Sequence, residues 1–264
     1  MTTPAPQRSD PVGDKYYAAV TKADTVSDCL FYLTAALSIA VLFLDKTSWP
    51  PLTRIATGAF VVSVIALFVI GLGTRLYWTP RADEKRRLDF LTSALNVSMT
   101  HETSVKYYNN AETEPIRRMA AQLLENTHFT KSIVLKMAPL ERTRAAIYAL
   151  IWLVCMQLPN ADLGLIAAAT QAVFAEQIFS RWLRLEWLRS SCEHIFKEVR
   201  QLFSSGATGD EFRATTLNSF SNYEMTKAIA GITLSSKIFN RDNTKLSDEW
   251  ENIKKSLGLQ PGPN

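Results

Sequence analysis

The residues that could do chemistry lie in one stretch, SVKYYNNAETEPIRR at positions 104–118, and in the basic segments on either side of it. Tyrosine rings can stack on nucleobases, and guanidinium groups hold phosphates through paired hydrogen bonds. Together these residue types could bind a nucleotide or a short single strand. The candidate ligand-binding residues are Arg86, Arg87, Tyr107, Tyr108, Asn109, Asn110, Arg117, Arg118 and Lys131.

The same residues also have a simpler interpretation. Lys and Arg close to a membrane-spanning segment set its orientation or contact anionic lipid. Asn109 and Asn110 also suit a turn, because asparagine tolerates turn conformations and bonds the nearby backbone. Both interpretations stay open from composition alone.

Known catalytic and phosphate-binding motifs do not occur in the sequence, including G-x-x-x-x-G-K-[ST], G-x-G-x-x-G, H-E-x-x-H and G-x-S-x-G. Cys29, Cys155 and Cys192 have no neighbouring cysteine to pair with. The three histidines do not have metal-ligand spacing. We therefore expect no enzymatic activity, no cofactor and no metal site.

Four uncharged stretches indicate how these residues are positioned. The stretches 29–44 and 55–72 contain no charged residue, and 145–158 and 163–175 form a second pair separated only by PNAD. A spanning helix needs about 20 mostly apolar residues. The sequence predicts an all-α integral membrane protein with four transmembrane helices in two hairpins. Two spans with a buried soluble hairpin are the alternative, because the last two stretches are short.

The charges favour one orientation for all four spans. Lys and Arg number 3 before the first span, 2 in the loop 45–54, 12 in 75–144, none in PNAD and 12 after Phe179. Since positive loops stay on the cytoplasmic side, both termini should be cytoplasmic. The predicted regions are a cytoplasmic N-terminal segment (1–25), a first hairpin (26–74), a cytoplasmic helical region (75–144), a second hairpin (145–180), and a cytoplasmic long helix with the C-terminal region (181–264).

Helical periodicity extends through the cytoplasmic parts. Apolar residues at helix spacing follow Pro115, which suits the first position of a helix. A longer stripe of steps of three and four runs from Ile178 to Leu202, so the fourth span should leave the membrane as one long helix. The segment TTLNSFSNYEMTKAIAGITL is ambiguous, and SDEWENIKKSLG predicts a short helix that ends at Gly258.

The fourth predicted span has one costly feature, a carboxylate in line with small residues. Small side chains let helices approach closely, and an intramembrane carboxylate usually faces a protein or water-filled interior. This face could line a cation-favouring pore between subunits. Alternatively, it could pack against another helix, with the carboxylate of Glu176 at the cytoplasmic membrane–water interface. The candidate pore-lining residues are Gly164, Ala168, Gln171, Ala172 and Glu176.

The order ADEKRRLDFLTSAL, KYYNN and LLENTHFTKSIVLKM between two hairpins resembles the SMODS-associated four-transmembrane effectors of bacterial anti-phage defence. The resemblance covers residues 15 to about 200 and leaves 205–264 unmatched. It rests on R-x-D, YYNN and EN-x-x-FT elements and not on a catalytic signature. The motif positions are Arg87, Asp89, Tyr107, Tyr108, Asn109, Asn110, Glu125, Asn126, Phe129 and Thr130.

The resemblance implies a homo-oligomer, such as a tetramer, in the bacterial inner membrane. It would act as an ion channel that depolarises the infected cell, an abortive response under the control of a partner nucleotidyltransferase. The ligand would be a cyclic oligonucleotide that opens the channel or, as in the Hailong system, a short DNA oligomer that holds it shut. The alternative is a non-conducting, membrane-anchored signalling adaptor.

Overall fold

The computed structural model describes residues 9–44, 49–157 and 176–259, and this part of the chain is all-α. Apart from one isolated antiparallel bridge between Ser9 and Val105, it contains no β-structure. The helices, in chain order, are α1 (Ala18–Phe43), α2 (Pro50–Gly73), α3 (Thr79–Leu95), α4 (Pro115–Gln157), α5 (Arg181–Ser204), α6 (Gly209–Ala230) and α7 (Ser236–Ser256).

Wide π-helical turns lead into three of these helices. They occupy Gly13–Tyr17 before α1, Thr74–Trp78 between α2 and α3, and Glu176–Ser180 before α5. The helical path is therefore continuous from Pro50 to Leu95. Such turns relax the regular hydrogen-bond ladder without breaking the helix.

Local sequence signals explain most helix ends. Pro115 opens α4 as predicted, because a proline loses no hydrogen bond at the first helical position. The Oγ of Ser235 accepts a hydrogen bond from the Ile238 N–H and so caps α7. Gly231 ends α6 with a left-handed φ of 53°, which glycine adopts without steric cost. The predicted helix at SDEWENIKKSLG is the second half of α7, which begins at Ser236.

The chain divides into two compact units. The first, called the YYNN unit, comprises the described residues 9–18, 80–137 and 184–259. Its core is built on α4 and α5, and the predicted long stripe of α5 is buried there. The buried residues of α5 are Leu185, Leu188, Cys192, Ile195, Phe196, Val199 and Leu202.

The second unit, called the span unit, comprises the described residues 19–44, 49–79, 138–157 and 176–183. Its large apolar side chains point outward; Ile55 and Phe68, for example, are 68% and 67% exposed. An outward apolar surface of this extent suits a lipid environment better than water. Two helices, Gly13–Val41 and Pro50–Leu95, are long and apolar enough to cross a membrane.

α4 contributes to both units. Residues 115–137 belong to the YYNN unit, and 138–157 belong to the span unit and carry most of the third predicted span. The helix continues through Pro139, at the loss of one backbone hydrogen bond. The stretch 163–175, which forms the fourth predicted span, lies outside the described residues.

Candidate ligand site

The YYNN segment lies in the irregular stretch 96–114 between α3 and α4. Asn109 anchors this stretch through three of its groups. Its backbone N–H donates to the Glu125 carboxylate of α4 at 3.0 Å, and its side-chain amide donates to Glu251 of α7 at 2.8 Å. Its carbonyl oxygen accepts from Lys254 at 2.9 Å and from the Trp250 indole at 3.4 Å. One asparagine thus joins the segment to two helices.

Lys254 is an unusual member of this group because only 1% of its surface is exposed. A buried ammonium is costly unless it is paired and hydrogen-bonded. Here it forms an ion pair with Glu251 at 2.7 Å and donates to the Asn109 carbonyl. The beginning of α7 contacts α4 as well, since Lys136 pairs with Asp242 at 3.0 Å. α7 is therefore part of the structure that holds the YYNN segment.

Arg86 lies at the centre of a second network in the same unit. Its Nη2 donates to both carboxylate oxygens of Asp10, at 2.8 and 2.9 Å, and its Nη1 lies 3.6 Å from Asp89. The guanidinium stacks over the Tyr107 ring, 4.3 Å from its centroid. Asp89 in turn accepts from the Ser104 backbone N–H at 2.8 Å.

Burial alone would raise the pKa of the Asp10 carboxyl. The hydrogen bonds and the positive charge of Arg86 outweigh that effect, so the pKa lies below its ordinary value of 3.8. Asp10 is therefore charged at neutral pH, and it fixes the N-terminal segment against α3.

The two tyrosines form a continuous aromatic contact with α3 and α6. Tyr107 and Tyr108 meet edge-to-face at 4.9 Å, Tyr108 meets Phe90 at 5.7 Å, and Phe90 stacks on Phe220 at 5.0 Å. Burial raises the pKa of the Tyr108 phenol well above its ordinary value, so it stays protonated. Its hydroxyl and the Asn110 amide are buried and have no hydrogen-bond partner among the described residues. Groups of that kind are rare in folded proteins.

The paired arginines at the start of α4 have different roles. Arg118 donates to three backbone carbonyls, those of Glu112, Ser93 and Thr113, at 2.6, 3.2 and 3.1 Å, and so holds the end of the irregular segment. Arg117 pairs with the buried Glu112 carboxylate at 2.8 Å, yet its side chain is 41% exposed. Of this pair, Arg117 is the one that can contact a ligand without leaving its place.

The other two predicted cations lie apart from these contacts. Arg87 is exposed on α3, and Lys131 of α4 places its ammonium 3.4 Å from the centre of the Phe196 ring. Burial lowers the pKa of Lys131. The structure therefore brings Arg86, Tyr107 and Tyr108 together, gives Asn109 and Arg118 internal partners, and does not place Lys131 in contact with them.

Several residues of the motifs that carry the resemblance make contacts in the YYNN unit. Asp89 and Glu125 hold the backbone of the segment at Ser104 and Asn109. The Thr130 hydroxyl shares a hydrogen bond of 3.2 Å with Tyr223. Phe129 packs against Phe239 of α7, with ring centroids 6.1 Å apart, and Asn126 is half-buried.

Sequence reasoning missed Asp10, Glu112, Glu251 and Lys254, the partners of the predicted residues. Asp10 lies 76 residues from Arg86, and Lys254 lies 145 residues from Asn109. The one available signal was the excess of charge on α7, where Lys254 falls on the same helical face as Leu246 and Trp250.

A second charged cluster, also missed, lies in the span unit. Glu141 of α4 is only 5% exposed, and its carboxylate lies 3.3 Å from Arg181 and 3.4 Å from Arg144. Arg181 also lies 3.9 Å from Asp28 of α1. The cluster therefore joins α1, α4 and α5.

The predicted pore residues Gly164, Ala168, Gln171 and Ala172 lie outside the described residues. Glu176 begins the π-helical turn before α5, and only its backbone is described.

The chain matches no protein-family model, no curated protein and no solved structure.

Proposed function

We propose that this chain is an oligomeric membrane effector, a channel whose opening is controlled by an anionic nucleotide or a short DNA ligand at the YYNN unit. The observation that carries the proposal is the division of one chain into two unlike helical units that share α4. One unit has outward apolar helices, and the other holds an aromatic and basic segment in place with partly buried ion pairs, such as Lys254 with Glu251.

The proposal gives the membrane part four spans, with both termini in the cytoplasm. The two helices suited to crossing a membrane support the first hairpin. The apolar end of α4 and the uncharged stretch 163–175 support the second. Gly164, Ala168, Gln171, Ala172 and Glu176 line the pathway in this proposal, which makes it cation-favouring.

In this proposal the ligand contacts the half-buried Tyr107 ring and the partly exposed Arg117, and it extends to Arg87, which is exposed on α3. Tyr108 and Asn110 supply the buried hydroxyl and amide that lack partners. A ligand shifts the channel only to the extent that it binds one state more tightly. A change in the YYNN segment reaches α4 directly, through Glu125 and Arg118.

In cells, the proposed channel depolarises the inner membrane during phage infection, and a partner nucleotidyltransferase makes its ligand. The chain itself carries out no catalysis in this scheme. The resemblance to the four-transmembrane defence effectors supports this assignment, as do the polar contacts at the motif positions.

Calorimetry on the purified full-length protein tests the site. The probes are a panel of cyclic dinucleotides and a single-stranded DNA trinucleotide. We expect one probe to bind and expect Arg87→Glu with Arg117→Glu to weaken it at least roughly tenfold, since each removes an exposed cation from an anion site. Lys237→Glu with Lys255→Glu makes the same total charge change at two exposed positions of α7 and should leave binding unchanged. Equal affinity in wild type, the arginine variant and the control would show that Arg87 and Arg117 do not bind the ligand.

A further inference from the structure

α6 buries aromatic and small side chains and exposes its large aliphatic ones. Its buried residues are the aromatic Phe212 and Tyr223 and the smaller Thr216, Ser219, Thr226 and Ala230. Its large aliphatic residues are on the outside: Leu217, Met225 and Ile229 are 51%, 54% and 57% exposed. A helix normally turns its apolar stripe toward the core. The outward stripe of α6 therefore calls for a partner.

The order of small and large residues along this stripe is the same in both directions. Ala214, Leu217, Ser221, Met225 and Ala228 are exposed and follow one another at steps of three, four, four and three. If two copies of α6 lie antiparallel with their centres at Ser221, Leu217 faces Met225 and Ala214 faces Ala228. A twofold interface must be self-complementary in this way. The small residues at its centre and ends let the two helices approach closely.

The charges favour the antiparallel arrangement over a parallel one. Asp210, Glu211 and Arg213 are exposed at the beginning of α6. In a parallel pair each would face its own copy, and like charges repel. In the antiparallel pair the two carboxylates face residues 231 and 232 of the uncharged segment GITLS, and Arg213 faces Ile229.

The exposed apolar area of α6 is small, so the predicted interface is weak and forms only when the chains are concentrated in a membrane. Half of three large aliphatic side chains and parts of two alanines amount to roughly 400 Å² a chain, about half of what a standard stable interface buries per partner. Anchoring in one bilayer raises the effective concentration of neighbouring chains and can offset this shortfall.

We infer that the exposed face of α6 is an interface between two copies of this chain, which pair antiparallel about Ser221. The inference is independent of conduction and of nucleotide binding, because the pairing requires neither.

Cysteine crosslinking of the full-length chain in native membranes tests both the contact and its direction. The background carries Cys29→Ser, Cys155→Ser and Cys192→Ala. In it, Ser221→Cys alone should give an oxidised dimer, and so should Leu217→Cys combined with Met225→Cys. Leu217→Cys alone and Met225→Cys alone should give none, since neither position meets its own copy. The 217 and 225 positions of one chain are two helical turns apart and cannot pair with each other.

Two results would overturn the inference. A dimer from Leu217→Cys alone would mean a parallel pair, and the absence of a dimer from Ser221→Cys and from the Leu217/Met225 pair would mean that α6 does not contact a second copy. A second variant, Leu217→Glu, should abolish crosslinking through Ser221→Cys without changing the thermal unfolding temperature, because the residue is exposed. Leu135→Glu makes the same substitution at an exposed leucine of α4, outside the stripe; it is the matched control and should leave crosslinking intact.

Discussion

Asn109 shows how a polar residue in a loop can be fixed as firmly as a core residue. Its N–H has a partner on α4, and its carbonyl and side-chain amide have partners on α7. Such a residue gives its neighbours, Tyr108 and Asn110, a defined position. The segment therefore combines a rigid anchor with adjacent buried polar groups that lack partners among the described residues.

Lys254→Met should destabilise the YYNN unit by roughly 2 kcal/mol, because Glu251 loses its partner and the Asn109 carbonyl loses a charged donor. Urea unfolding followed by tryptophan fluorescence in detergent measures the change. Lys255→Met alters the adjacent, exposed lysine and should shift the midpoint little. Equal midpoints for the two variants would show that Lys254 does not stabilise the segment.

Asp10 should make stability depend on pH. Its folded pKa lies below the unfolded value, so its contribution is complete above the ordinary pKa of 3.8 and is lost as the pH falls through the lower, folded value. Asp10→Asn should cost roughly 1–2 kcal/mol at pH 7, and the difference from wild type should shrink below about pH 4.

Urea unfolding at pH 7, 5 and 3.5 measures the difference in unfolding free energy between wild type and Asp10→Asn. Asp14→Asn, at an exposed position of the same segment, is the control and should match wild type at pH 7. A gap between Asp10→Asn and wild type that stays constant with pH would contradict the ion-pair account.

At the scale of helices, the span unit depends on the cluster of Glu141, Arg181, Arg144 and Asp28. Arg181→Ala leaves the buried Glu141 carboxylate with Arg144 alone, and we expect a loss of about 2–4 kcal/mol. Adding Glu141→Gln should recover part of the loss, because the unpaired charge is then gone.

Thermal unfolding in detergent gives the energies of this double-mutant cycle. The control is Arg189→Ala, which removes a partly exposed i,i+3 pair and should cost less than about 1 kcal/mol. If Arg181→Ala were no more destabilising than Arg189→Ala, the cluster would not hold α1, α4 and α5 together.

Sequence reasoning succeeded where local rules decide the structure. It predicted the start of α4 at Pro115 and the buried stripe of α5, because helix position preferences and a 3.6-residue period are local. It did not find the pairing of Asp10 with Arg86 or of Lys254 with Asn109, since the packing of distant helices selects those partners. It left α6 ambiguous for a related reason, because the large aliphatic residues of this helix lie on the face away from the core.

At the scale of the whole molecule, the two units have different surfaces. The span unit exposes large apolar side chains over most of its helices, whereas the YYNN unit has a buried apolar core and exposes such side chains at fewer places, among them Leu217 and Met225 of α6. In the proposed channel, the span unit lies in the membrane and the YYNN unit binds the ligand. The proposed channel requires both, and it also requires copies of the chain to assemble around one pathway.

Ionic current across a planar bilayer that contains the purified, full-length chain tests this account most directly. We expect current either with or without the bound probe, and a preference for cations under a KCl gradient. Glu176→Lys should move the reversal potential toward that of anions, whereas Gln177→Lys, one position away, should move it less. The absence of current in both ligand states, from protein shown to be inserted and assembled, would contradict the channel and favour a non-conducting adaptor.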